Sequence, residues 1–229
     1  EAGDKVAPPK GNTLTWHFVA PKVHDFMWGA DPKYKHDKVQ MANGITVHHF
    51  YIPGEKTTEN WEKLKEYTPK AIDYMSKQFG QYPYKQFSVV QGGDGGMEYA
   101  MSTLITGERS LGSLVGVMVH ELAHSWFHGV LATNESLYPW MDEGFNTYIN
   151  QYSTKAFNKG EYYSPINARQ FGPMLHDKDP IMNIPDVIQG KNLGLMAYYK
   201  PGMGLTMLRE VVLGPERFDY ALKEYIRRW

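Results

Sequence analysis

At 229 residues, with 42% apolar and 21% charged side chains, the chain can bury a substantial core, and its composition excludes a disordered or a fibrous class. Lys plus Arg number 24 against 25 for Asp plus Glu, so no global charge directs it to nucleic acid or an anionic membrane, and small near-neutral substrates are the default. Cysteine is absent, which excludes disulfides, thiolate metal sites and a cysteine nucleophile while leaving the compartment open.

The chain opens on the polar stretch Glu1-Ala2-Gly3-Asp4-Lys5, without a signal-peptide pattern, as a processed or truncated start would also do. Residues 1–44 are rich in Pro, Lys, His and Asp, with short extended runs such as Thr13 to Val19, and read as the end of a β-rich region followed by a connector. Asn43-Gly44 marks a turn, and Ile45 to Ile52 reads as a strand of β-branched and aromatic residues that begins a new domain. Thr58 to Phe79 places Trp61, Leu64, Tyr67, Ile72, Met75 and Phe79 at helical spacing. Pro69 interrupts it, predicting a kinked helix or two short ones, with Gly80 as the stop.

Phe87 to Gln91 reads as a short buried strand, followed by Gly92-Gly93-Asp94-Gly95-Gly96. No GK[ST] follows these glycines, so a phosphate loop gives way to a flexible turn that delivers Met97-Glu98-Tyr99 and a strand from Ala100 to Ile105 to a cleft. Ser110 is a plausible N-cap for a helix from Leu111 to Phe127. That helix is apolar on nearly every side and therefore buried, with Gly129 as its expected stop. Its apolar run, Leu111 to Val119, falls well short of the ~20 residues a membrane span needs. A second helix is expected from Met141 to Ala156, a Pro-interrupted loop from Lys159 to Asn192, and two closing helices over Leu193–Leu213 and Glu216–Trp229, joined at Gly214-Pro215.

Within this frame one constellation carries chemistry. His120 and His124 stand one helical turn apart and project from one face, so both can reach a single ion. Glu121 lies about 100° round the helix and borders the same cavity without having to ligate, which suits a base acting on water. Catalytic zinc usually takes three protein ligands and keeps a fourth position open. Glu143, with 18 residues between it and His124, is the natural third ligand, since a loop and a return helix can span that distance. A bare HExxH also arises by chance in helices that bind nothing; the added glutamate makes one Zn2+ held by His120, His124 and Glu143 the stronger reading. His128 continues the series, but three ligands already complete the set. His48 and His49 alternate on a strand, and His17, His24, His36 and His176 have no partner at metal-site spacing, so none is given a role.

HELAHSW followed after 18 residues by Glu143, preceded by GGMEY and followed by Tyr198-Tyr199-Lys200, resembles the aminopeptidase N family of zinc aminopeptidases, which includes leukotriene hydrolase. The resemblance covers about residues 45–229, with three motifs in family order. It implies an α+β, thermolysin-like catalytic domain, a small mixed sheet against a helical lobe with the zinc helix between them. In the family a β-sandwich precedes this domain and helical domains commonly follow. Residues 1–44 would then be the tail of the former, 45–229 the catalytic domain, and further domains would be missing.

Carried over by position, the resemblance implies zinc ligands at His120, His124 and Glu143 and a general base at Glu121. The family's GxMEN motif matches Gly95-Gly96-Met97-Glu98, its glutamate binding the substrate's free amino group, with Tyr99 where asparagine is usual. The transition-state tyrosine of the YxKG motif falls on Tyr198, two residues before Lys200; Tyr199 competes, and Pro201 intervenes before Gly202. The implied reaction is hydrolysis of the N-terminal peptide bond of peptides with a free N-terminus. A thermolysin-like endopeptidase, and a non-enzymatic module or inactive fragment that keeps the fold, are the alternatives.

Overall fold

The computed structural model describes residues 11–13, 15–162, 169, 172 and 179–229. The strand read from Ile45 to Ile52 forms β2 (Thr46–Tyr51), within a mixed sheet with β1 (Lys35–Gln40), β3 (Gln86–Gly92), β4 (Gly96–Tyr99) and β5 (Ser102–Thr106). The spatial order is β1-β2-β3-β5-β4. β2, β3 and β5 run parallel, while β1 and β4 close the two edges antiparallel to their neighbours. Gly44, at a φ of 89°, turns β1 into β2, so the expected domain start falls inside a hairpin of one sheet.

Parallel β2 and β3 need a long crossover, which α1 (Thr58–Phe79) supplies. Pro69 was expected to kink or split this helix, yet it runs as one element with Pro69 inside. Trp61 and Leu64 before the proline, and Ala71, Ile72 and Met75 after it, are fully buried on one face. Each large apolar side chain so buried contributes about 1.5–3 kcal/mol. Together they exceed the ~3 kcal/mol an interior proline costs. Gly80 ends the helix at a φ of 105°, and its carbonyl accepts from Trp126 Nε1 at 2.8 Å.

Ser110 caps α2 (Leu111–His124), its side chain accepting from Ser113 N at 3.4 Å. Leu114, Val115, Met118, Val119, Leu122 and Ala123 are all buried, so α2 lies at the centre between sheet and helical lobe. The helix does not stop at Gly129: it widens after His124 into a π turn, Ser125–Val130. The second helix likewise starts as a π turn, Trp140–Gly144, before α3 (Phe145–Phe157). A third such turn, Leu195–Tyr199, leads into α4 (Lys200–Met207), a fourth, Leu208–Leu213, follows it, and α5 (Pro215–Arg228) closes the chain. A 3.6-residue apolar period does not reveal these widened turns. Part of the expected loop from Lys159 to Asn192, His176 included, lies outside the described residues. No helix among the described residues is long and apolar enough to cross a membrane.

Candidate metal centre

The last turn of α2 and the π turn before α3 face each other across a buried polar cleft. His120 Nε2 lies 3.1 Å from Glu143 Oε2, and His124 Nε2 lies 3.5 Å from the same oxygen. The donor atoms of His120, His124 and Glu143 all lie within 4.8 Å of one another. Two side chains hold the elements in this register. Asn146 Nδ2 donates to the His120 carbonyl at 2.5 Å, and Asn150 Nδ2 donates to the Gly116 carbonyl at 3.2 Å. A peptide oxygen midway along α2 has no need of a second donor, so these bonds fasten α3 to the helix without disturbing it.

The donor set fits a metal ion on the chemistry of its own atoms. His124 is 3% exposed, and its Nε2 has no hydrogen-bond partner among the described residues. A buried ring nitrogen left unmet is costly, and a cation beside Glu143 would take the place of its proton. Burial would raise the Glu143 carboxyl, but the hydrogen bond from His120 and the adjacent His124 imidazole outweigh it and hold the group well below the usual carboxylate range.

Sequence reasoning missed the residue on the other side of this ring. Asp142, 2% exposed, places Oδ1 at 2.7 Å from His124 Nδ1. Burial would lower His124, and the Asp142 carboxylate overrides it and raises the imidazole well above its ordinary value. The available signal was the acidic pair Asp142-Glu143 itself: on the widened turn adjacent carboxylates reach the two nitrogens of one imidazole.

Glu121 projects toward the sheet side of the cleft. Its Oε2 is buried and lacks a hydrogen-bond partner, and desolvation pushes its carboxyl up. Edge strand β4 runs against it. A Cβ added at Gly96 would overlap Glu121 Oε1 and come within 2.8 Å of Val117 Cγ1, so the backbone there comes as near to α2 as a bare glycine permits. Gly95 is pinned, its carbonyl accepting from Arg109 Nη2 at 2.6 Å, so the glycine run expected as a flexible turn is tied at its end. Along β4, Met97 points outward and Glu98 inward, Glu98 Oε2 lying 3.9 Å from His124 Nε2. Burial pushes the Glu98 carboxyl up to about 8. A cation at contact distance, metal or ammonium, favours the ionised form and acts against that rise.

Tyr198 comes from the π turn before α4, its ring stacked beside His120 at 6.0 Å between centroids. Burial and the neighbouring Glu143 carboxylate raise its phenol, so the hydroxyl keeps its proton near neutral pH. Tyr199, by contrast, is 42% exposed. Pro201, the departure noted in the sequence, has a packing role: a Cβ at Gly144 would come within 2.6 Å of Pro201 Cβ and Cγ, so a glycine and a proline bring the Tyr198 and Glu143 turns together.

Comparison with known proteins agrees with this geometry. Leucine aminopeptidase 2 of Chaetomium globosum is 24% identical over 197 residues, covering 77% of this chain and 31% of that protein. Aminopeptidase B of Rattus norvegicus is 31% identical over 151 residues, 58% of this chain and 22% of that one. The chain thus spans less than a third of the length of these curated relatives. Among solved structures, an M1 zinc metallopeptidase from Deinococcus radiodurans matches in fold with a TM-score of 0.63 at 20% identity, over 85% of this chain and 44% of that one. The α+β architecture expected from the sequence, a small mixed sheet beside a helical lobe, is shared with it. A family model described as the peptidase family M1 domain matches residues 63–229, a stretch that contains every residue gathered around His120 and His124, and the chain belongs to that family.

Proposed function

We propose that this chain is the catalytic portion of a zinc aminopeptidase, with one Zn2+ held by His120, His124 and Glu143. The observation that carries the reading is the convergence of the three donor sets on one cleft: the ligands, Glu121 with a free buried oxygen, and Glu98 facing inward from an edge strand. The names of the matched relatives, leucine aminopeptidase and aminopeptidase B, support the same substrate class.

Bound there, zinc supplies acidification of water and polarisation of the scissile carbonyl. Glu121 takes a proton from the attacking water through Oε2 and passes it to the leaving amine; its raised affinity for protons suits both transfers. Tyr198, held protonated, donates a hydrogen bond to the developing oxyanion, worth about 2.7–4 kcal/mol for donors of this kind. Glu98 receives the α-ammonium of the substrate. A buried carboxylate there rewards a free amine and penalises an internal amide that cannot pair with it, which confines cleavage to the first residue. Asp142 holds His124 by Nδ1, keeping Nε2 directed into the cleft.

The endopeptidase alternative makes the opposite prediction at Glu98. A chromogenic aminoacyl substrate and its N-acetylated form should differ by several orders of magnitude in kcat/KM, and Glu98→Ala should remove most of that difference. Equal cleavage of both forms by the unaltered chain would replace the aminopeptidase reading by an endopeptidase. Zinc binding without hydrolysis of either would favour a fragment that needs its neighbouring domains.

A further inference from the structure

We propose that His24, Asp25 and His128 form a second divalent-metal site, separate from that of His120, His124 and Glu143, and suited to zinc or another late first-row ion. Neither His24 nor His128 has a role in the hydrolysis described above. The π turn after α2 carries His128 past the cleft, where it meets His24 of the segment preceding β1. Two hydrogen bonds hold that segment: Tyr84 Oη donates to the Lys22 carbonyl at 3.2 Å, and the Ala100 N–H donates to Asp25 Oδ1 at 3.1 Å. The His24 and His128 rings meet edge to face at 4.7 Å, and one donor atom from each of His24, Asp25 and His128 lies within 4.8 Å of the other two.

Two further observations concern the surroundings of His128. His128 is 8% exposed; its Nδ1 makes no hydrogen bond among the described residues and faces the Asp142 carboxylate oxygen at 3.7 Å. A buried imidazole nitrogen without a partner is costly unless something else supplies one. Beside it lies a cavity of about 10 Å³, with room for a single water-sized body, bounded by His24 and His128 together with Glu98 and His124 of the first site and not by Asp25.

Two imidazoles and one carboxylate make a donor set for zinc, cobalt or nickel rather than calcium or magnesium. Tetrahedral zinc with ligands at about 2.0–2.1 Å sets its donors about 3.4 Å apart, so the three groups must close by roughly an ångström. His24 is exposed on an irregular segment and can make that movement. Glu98, Glu135 and Asp142 also gather round His128, but Asp142 is already engaged with His124 at 2.7 Å and Glu98 faces the first site. An ion here would fasten the segment before β1 to the end of α2. Its charge would lie near Glu98 and compete with an arriving α-ammonium, a consequence that rests on the aminopeptidase reading whereas the site itself does not.

The test is a zinc titration of the whole chain, previously dialysed against a weak chelator until it retains a constant zinc content, followed by calorimetry and by metal analysis. The expected result is one further equivalent bound by the unaltered chain, weakened at least tenfold in both His24→Ala and His128→Gln, with the zinc retained beforehand unchanged in each. Circular dichroism establishes that the variants are folded, and His24, being exposed, can be replaced without loss of packing. Absence of a further equivalent in the unaltered chain, or unchanged affinity in either variant, would overturn the proposal. Loss of the retained zinc in either variant would show that the two sites are not separate and would likewise overturn it, whereas an unaltered chain that retains no zinc at all would count against the first site, so the two failures are distinguishable.

Discussion

Asp142 Oδ1 sits 2.7 Å from His124 Nδ1, while Glu143 Oε2, one residue on, sits 3.5 Å from Nε2 of the same ring. One imidazole is therefore addressed at both nitrogens by adjacent carboxylates. Of these two carboxylates, Glu143 is the one whose donor atom gathers with those of His120 and His124. Replacing Asp142 by Ala should leave the fold intact and weaken zinc binding about 10- to 100-fold, the usual cost of losing such a supporting partner. Competition with a chromophoric chelator reads the change, and Asp142→Asn, which still offers an oxygen to Nδ1–H, should recover part of it.

Gly96 and Glu121 give a second expectation. A methyl group at residue 96 would overlap the Glu121 carboxylate and press on Val117. Gly96→Ala should therefore lower turnover tenfold or more with zinc content unchanged, because the ligands are not touched. An overpacked contact of this kind costs about 1–3 kcal/mol, to be seen as a lower urea midpoint.

Gly144 and Pro201 hold the Glu143 and Tyr198 turns together. Gly144→Ala places a Cβ within 2.6 Å of the Pro201 ring, and both turns must separate. Destabilisation of about 1–3 kcal/mol is expected, together with losses of both zinc affinity and turnover. This distinguishes it from Gly96→Ala, where metal affinity is retained.

His49 sets a pH dependence remote from the metal. It is fully buried, with Nε2 3.0 Å from Thr68 Oγ1, and burial depresses its pKa to about 3 from an ordinary 6.5. In that window the unfolded chain binds the proton and the folded chain does not, so stability is full above pH 6.5 and falls as pH drops toward 3. The loss between pH 8 and pH 5 amounts to about 2 kcal/mol. Urea unfolding at the two pH values, with His49→Gln as comparison, should show a shallower decline in the variant.

How much of this was legible in the sequence follows from which contacts are local. His120, Glu121 and His124 lie on one α-helical turn, so their spacing alone fixes their common face. Glu143 required only that a helix return. Glu98 is different: it reaches the cleft because β5 inserts between β3 and β4 and leaves β4 at the sheet edge beside α2, an order that no local pattern encodes. Asp142 was not considered, and His128 and His24 were set aside because three ligands completed the set and because no partner stood at metal-site spacing. Asp142 and His128 lie on π turns, which shift side chains off the 3.6-residue count, and His24 is brought in by a segment tied to Ala100 and Tyr84. Pro69 misled in the other direction, since the burial that overrides it comes from α2, α3 and the sheet packed against α1.

The most direct measurement of the central claim is the kcat of Glu121→Gln on a chromogenic aminoacyl substrate, taken beside its zinc content and those of the unaltered chain. The account predicts unchanged zinc and a fall of about 10²–10⁴-fold in kcat, the contribution of a positioned proton carrier. Undiminished turnover at equal zinc would contradict it.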